Sequence, residues 1–318
     1  MASSLSLPQK AVAFLVATGV AGTAARTISL HAARVAETDG ANPYKEFNQW
    51  VNSYIIPEAW TAAADEALGP YAAHFVVMYF RDLVAGSIMY YTVSGLWHLY
   101  IYHLKRDKFF PDGQLLPTRE TIVDQIMLAQ ASLFMYAGLP VLSEWLIEEG
   151  YTRAYYSISE VGGWPQYVAL TLLYLTLVEI GIYWMHRKLH TNKILYKYVH
   201  ALHHKYNKAQ TLTPWCSVAF NPLDGILQAC PYVIMLFVVP CHYLTHVVML
   251  FFTAVWATNI HDALDGDTEP IMGSKYHTMH HTHYHVNFGQ FFVFCDWFWG
   301  TLRDPKAKPS SAQLKKAA

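Results

Sequence analysis

Long apolar runs, separated by short charged or acidic stretches, set the plan of the chain. The first covers about residues 74–104 and stops at Lys105, Arg106 and Lys108. A second covers about residues 122–142, and a third, residues 164–185, leads directly into His186. At 1.5 Å of rise per residue, runs of about 20 residues cross a hydrocarbon core roughly 30 Å thick. The pattern therefore predicts an all-α, multi-span membrane protein. A fourth run, residues 230–258, has a different problem. Two full crossings need about 40 residues, and this run holds 29. Pro240 near its middle breaks a helix, so the expectation is a hairpin dipping partway into the bilayer. His242 and His246 would then lie deep, away from the other histidines.

The flanks differ from this body. Residues 1–36 contain no acidic residue, open with MASSLSL and carry Lys10, Arg26 and Arg34. They fit an organelle-targeting segment or an apolar anchor over residues 11–30, and the sequence leaves both open. Residues 37–70 are more polar, are punctuated by Pro43, Pro57 and Pro70, and suggest an interfacial or linker region. The division is an N-terminal region 1–70, a membrane-embedded region 71–306 and a polar tail 307–318. Lys315 and Lys316 in that tail form a dilysine pattern, which predicts residence in the endoplasmic-reticulum membrane with a cytosolic C-terminus.

Composition agrees with the apolar pattern. Hydrophobic residues make up 53% and charged residues 14%, against about 25% charged in soluble domains. A net charge of −1 gives nucleic acid nothing to bind. Cys216, Cys230, Cys241 and Cys295 form no CxxC pair and read as packing residues. Charge placement sets the orientation. Arg187, Lys188, Lys193, Lys197, Lys205 and Lys208 surround the histidine-rich stretch, which puts it on the cytosolic side. Lys105, Arg106 and Lys108 join it there. The stretch 143–163, with Glu144, Glu148, Glu149 and Glu160, is expected as an acidic loop on the opposite side.

Histidines supply the candidate chemistry. His186 and His190 stand four apart, His200, His203 and His204 form an HxxHH box, and His277, His280 and His281 form another. On a helix, positions three and four apart share a face, so each box can present imidazoles together. Eight box histidines exceed what one ion needs, and two metals in an all-histidine cage is the economical reading. Imidazole suits iron, zinc, copper and nickel alike. Isolated histidines such as His74, His98 and His103 are assigned to packing or interfacial positions. Carboxylates are absent from the boxes, unlike the Glu-rich sites of soluble di-iron bundles. An oxygen-activating centre beside lipid suits oxidation of an unactivated C–H bond.

HRKLH, HALHH and HTMHH, in this order after long apolar segments, resemble the fatty acid hydroxylase and sterol desaturase superfamily. The flanks GIYWMHRKLH, LYKYVHALHHKYNKAQTLTPW, AFNPLDGILQ, NIHDALDG and DWFWGTLRDP further resemble the plant-type Δ7-sterol C-5(6)-desaturases, or lathosterol oxidases, over about residues 75–305. The resemblance implies a cytosolic-face di-iron site from the eight box histidines, with His261 as a ninth ligand. It leaves Asp265, His283 and His285 without a settled role, and matches Asn287 and Gly289 to an N-x-G turn after the last box. It further implies a sterol substrate, O2, and electrons from cytochrome b5 and its NADH reductase. No HPGG haem segment is present, so that donor would be a separate protein. The alternatives are a C-4 methylsterol oxidase, a fatty acid or carotenoid hydroxylase, or a non-catalytic metal or sterol binder.

Overall fold

The computed structural model describes residues 42–110, 116–208, 210–262 and 268–306, and these are mostly helical. The N-terminal 1–41 and the C-terminal tail, including the targeting or anchor segment and the dilysine pattern, lie outside the described residues. Helices α1 (Pro43–Ile55) and α2 (Glu58–Leu68) precede the long α3 (Pro70–Leu99), which runs on through a wider π-helical turn to Leu104. Then come α4 (Arg119–Tyr136), α5 (Gly138–Glu148), α6 (Trp164–Thr191), α7 (Pro222–Met235), α8 (Tyr243–Ile260), α9 (Ser274–His283) and α10 (Phe294–Phe298). Local sequence marks the starts. Proline occupies the first turn of α1, α3, α6 and α7, where its missing N–H costs nothing. Asn42, Thr118 and Asn221 cap α1, α4 and α7 by accepting backbone N–H bonds.

By length and apolar composition four stretches can cross a membrane: Pro70–Leu104, Arg119–Glu148, Trp164–Thr191 and Tyr243–Ile260. The second extends past the expected end at 142, because α5 resumes immediately after Ala137 and continues to Glu148. Glu144 and Glu148 are therefore buried inside the bundle instead of lying in an acidic loop, while Glu149 and Glu160 stay exposed. Arg187 departs from the surface reading as well. It is buried, donates to the Tyr183 hydroxyl at 3.0 Å and lies over the Trp184 ring.

The fourth apolar run is a hairpin, but not a partial one. Its first arm begins at Pro222, eight residues before the expected limit of 230, and its second ends at Ile260. The break falls at residues 236–240, with Pro240 at its close. Beyond the break, β2 (Cys241–His242) pairs in parallel with β1 (Ala154–Tyr155), just before α6, and the Arg153 N–H donates to the Leu236 carbonyl at 2.8 Å. The tip thus reaches the end of α6 opposite its histidines, so the hairpin runs the whole height of the bundle. His242 packs at that far end against Tyr155 and Tyr167, and His246 is buried between the Tyr174 and Ser143 hydroxyls. Gly181 on α6 permits close contact with α7, since a Cβ there would sit 2.8 Å from Pro231.

A buried polar knot closes the bundle at the same far end. Arg81 of α3 pairs with Glu144 of α5 and with Asp82, and also donates to Asn48 and Asn52 of α1. Asn48 donates to Glu148 at 2.6 Å, and His74 meets the other Glu148 oxygen at 2.7 Å. The polar stretch before α3 is thus partly structural, because α1 supplies two buried asparagines to this knot. Removing one partner of a buried ion pair leaves an uncompensated charge, at a cost of roughly 3–5 kcal/mol. Arg81→Met is expected to lower the unfolding temperature of detergent-solubilised protein sharply. Arg81→Met with Glu144→Gln is expected to recover part of that loss, and strictly additive losses would show that the pair is not coupled.

Candidate metal centre

Nine histidines meet at one end of the bundle, each no more than 6% exposed. They form two groups, His186, His190, His200, His204 and His280 in one, and His203, His261, His277 and His281 in the other. Helix α6 presents His186 and His190 one turn apart at its C-terminal end. His200 closes a π-helical turn, His203 and His204 lie in a 3-10 turn, His261 caps α8, and the last box lies on α9. All nine residues singled out in the sequence are therefore brought together.

The partition within the boxes is not the one expected. Each HxxHH box was expected to present one face, yet each is divided between the groups. His200 and His204 join the first and His203 the second, while His277 and His281 join the second and His280 the first. Helical geometry supplies the reason. Residues four apart nearly eclipse, whereas neighbours diverge by about 100° around the axis. The i, i+4 pair thus turns to one centre and the remaining histidine to the other, so both boxes straddle the two groups.

More nitrogens converge than hydrogen bonding can account for. In the first group His190 Nε2 lies 2.8 Å from His200 Nε2 and 3.1 Å from the Nε2 atoms of His204 and His280. In the second, His261 Nε2 lies 3.2 Å from His203 Nε2 and 3.0 Å from His277 Nε2, which is 3.1 Å from His281 Nε2. A neutral imidazole has one N–H and one lone pair. His186, His261 and His280 direct Nδ1 at the carbonyls of Phe288, Ala257 and Val286, and His200 directs Nδ1 at the Asp224 carboxylate. Those acceptors take the proton on Nδ1, so Nε2 in each case presents a lone pair to the cluster. Facing lone pairs need a cation between them. A spacing of about 3 Å is that of adjacent ligands around an ion with metal–nitrogen bonds of roughly 2.1 Å. The donor set fits a metal in each group.

Electrostatics point the same way. Burial, reinforced by neighbouring imidazoles, holds His203, His204, His277, His280 and His281 well below the usual histidine range. Burial takes His261 down to about 4. Neutral imidazole is the ligating form.

A supporting layer fixes the rings, and most of it was not singled out in the sequence. Asp224 accepts from His200 Nδ1 at 2.8 Å and from the Gln228 amide at 2.8 Å. The carbonyl facing His186 belongs to Phe288, between the two residues of the N-x-G turn. Asn287 there has a left-handed backbone (φ 56°), bonds the Tyr276 and Arg303 carbonyls, and accepts the Arg303 N–H. At Gly289 a Cβ would collide with the Phe292 carbonyl. Asp296 accepts the N–H groups of both Phe288 and Gly289 at 2.8 Å, and burial raises its pKa. Glu179 on α6 accepts the N–H groups of Gln290, Phe291 and Phe292. A lone carboxylate in an apolar span is itself a signal of buried partners, and Glu179 was legible on that ground. His283 and His285 are exposed and outside both groups, and Asp265 lies outside the described residues.

A cavity of about 580 Å³ opens beside the histidines, lined by His186, His203, His261 and His277 and by residues of α6, α7 and α8. Asp224→Asn leaves every histidine in place but weakens the acceptor for His200, and partners of this kind are worth about 10–100-fold in metal affinity. Purified Asp224→Asn protein is therefore expected to lose metal at lower chelator concentration than wild type, and unchanged retention would contradict this role.

The fatty acid hydroxylase family pattern matches residues 171–301. A Delta(7)-sterol-C5(6)-desaturase of Nicotiana tabacum is 44% identical over 259 residues, 81% of this chain and 92% of that protein. An Arabidopsis thaliana protein is 41% identical over 270 residues, 85% of this chain and 93% of its own length. The lathosterol oxidase of Rattus norvegicus is 31% identical over 266 residues, 80% of this chain and 82% of that protein. No solved structure matches. Identity at this level over nine-tenths of the plant relatives, around a buried two-group histidine centre, places the chain in the Δ7-sterol C5(6)-desaturase family of the fatty acid hydroxylases.

Proposed function

We propose that the protein is a Δ7-sterol C-5(6)-desaturase that uses two irons, held by His186, His190, His200, His204 and His280 and by His203, His261, His277 and His281. The observation that supports this most directly is the junction of the histidine groups with a cavity between membrane-spanning helices. A sterol is apolar apart from one hydroxyl, and it can reach such a cavity from the bilayer without crossing water. Bound iron would supply the reduction of O2 and the removal of hydrogen from carbon. The balance is one O2, two C–H hydrogens and two electrons and two protons from outside, giving one C=C bond and two waters.

The protein's own part is positional. Asp224 and the carbonyls of Phe288, Val286 and Ala257 hold four imidazoles in the tautomer that turns Nε2 inward. Burial excludes bulk water, which would otherwise compete for the ligands and for reactive species. The apolar walls bind by removing hydrocarbon surface from its surroundings, and few polar groups are needed to set the pose.

Electrons would come from cytochrome b5 with its NADH reductase. Lys188, Lys193, Lys197 and Lys208 are exposed around the first two boxes, and an acidic haem protein would be drawn to that face. An endoplasmic-reticulum membrane location, with this face cytosolic, belongs to the same reading.

Iron analysis of purified protein is expected to give close to two irons per chain, and a reproducible value of one would overturn the two-iron assignment. Microsomes containing the protein, supplied with NADH, O2 and a Δ7-sterol, are expected to form the conjugated 5,7-diene, followed by its ultraviolet absorption. Alanine at any of the nine histidines should abolish that product, while His242→Ala retains it. A stable hydroxylated sterol, or action on fatty acyl chains alone, would instead favour the hydroxylase alternative.

A further inference from the structure

A second cavity, of about 640 Å³, continues from the one beside the histidines. Tyr136, Ser217, Val218 and Ala254 line both, so the two adjoin and together outline one passage. On α3 its wall runs from Asp82 through Leu83, Gly86, Tyr90 and Val93, spacings that keep one helix face towards the cavity. That stretch is eleven residues of rise, about 16 Å. Across from it, α8 lines the passage from Leu250 up to His261.

Polarity changes along the passage. Near the histidines the lining includes Gln228, Thr253 and Gln290, and Gln228 is tied through Asp224 to His200. Beyond Ser217 and Thr258, whose hydroxyls bond to each other at 3.2 Å, the walls are hydrocarbon and aromatic down to Asp82 at the far end. Asp82 is 4% exposed and belongs to the Arg81 knot, and its Oδ2 has no hydrogen-bond partner. A hydrocarbon chain gains nothing against such an atom, so Asp82 marks where an apolar tail must stop.

A sterol carries the same gradient, a single hydroxyl at one end and a hydrocarbon side chain at the other. Its C-5 and C-6 lie two and three bonds from the hydroxyl-bearing carbon, so bringing them to the histidines brings the hydroxyl end too. The side chain must then leave in the opposite direction. We propose that the sterol lies with its hydroxyl-bearing ring in the cavity beside the histidines and its side chain along the second cavity towards Asp82, and that Gly86 keeps this tail channel open. The proposal rests on the sterol desaturase reading of the same site. A Cβ at Gly86 would meet only Leu133 Cδ2, at 3.9 Å, so alanine fits while a larger side chain has to enter the channel.

Two measurements test this. In the first, wild-type protein is photolabelled with two Δ7-sterols, one carrying a diazirine at the tip of the side chain and one on the hydroxyl-bearing ring. The tail probe is expected to mark peptides containing residues 83–93, and the ring probe those containing residues 220–229. The reverse pattern, or the same peptides from both, would overturn the orientation. It reads the pose whether or not diene forms, so a failure of the desaturase reading shows separately as absent diene. In the second, Gly86→Ala and Gly86→Leu proteins of wild-type iron content are given a full-length Δ7-sterol and an analogue lacking the side chain. Gly86→Leu is expected to lose about tenfold or more in kcat/KM on the full-length sterol while retaining the truncated one, with Gly86→Ala near wild type on both. Equal loss on both sterols, or none on either, would remove Gly86 from this role.

Discussion

The structure depends on a set of imidazole lone pairs turned towards one another in a place without water. Nine buried histidines, eight of them with Nε2 atoms about 3 Å from a neighbour's, are unfavourable as free bases, since each can offer at most one proton to its neighbours. Protonation is no escape, because burial and adjacent imidazoles both oppose a further positive charge. The arrangement makes sense with cations at its two foci, where mutual repulsion becomes shared coordination. The surrounding carbonyls and carboxylates take part by holding Nδ1 protons outward. Without them the rings could flip and the lone pairs disperse.

That requirement explains how the chain is laid out around the site. The clustered histidines come from the end of α6, irregular turns after it, the end of α8 and the middle of α9. Helix ends are where side chains can converge from several directions, and a π-helical turn adds freedom that a regular helix lacks. The HxxHH boxes straddle the two groups for the same reason, since one box then ties both centres together. The loop 287–293, held by Asp296 of α10 and Glu179 of α6, sets the Phe288 carbonyl against His186.

Much of this was legible in the sequence, and the rest was hidden for specific reasons. Positions of the candidate spans and eight of the nine clustered histidines follow from apolar length and histidine spacing, both local properties, while His261 follows from the family resemblance. The division of each box between two centres was not legible from one-face reasoning, although the 100° step between neighbours contains it. Asp224 and Asp296 look ordinary in the sequence because their partners lie 24 and 8 residues away, whereas Glu179, alone in an apolar span, carries a signal of its own although its partners lie 111 or more residues away. The hairpin was judged too short because its first arm was begun at Cys230. Pro222 and Asp224 lie ahead of that limit, yet they open α7, with Asp224 turned to His200. Glu144 and Glu148 were placed in a loop by their charge, when partners in Arg81, His74 and Asn48 allow them inside.

The knot around Arg81 and the histidine centre sit at opposite ends of one apolar passage, and this contrast bears on how substrates are sorted. Ionic groups at the knot satisfy most of their bonds with one another, so that end is stiff and offers an apolar ligand little. The histidine end offers the amides of Gln228 and Gln290 and the Thr253 hydroxyl. A molecule with one polar end therefore has one favourable direction in the passage, set by the walls before any chemistry begins. The distance from that polar end to the metals then determines which carbons are presented. Regioselectivity in such a site is a matter of length along the passage, while reactivity is a matter of the histidines. The two can change independently, which is how one histidine arrangement could serve reactions at different carbons behind differently shaped walls.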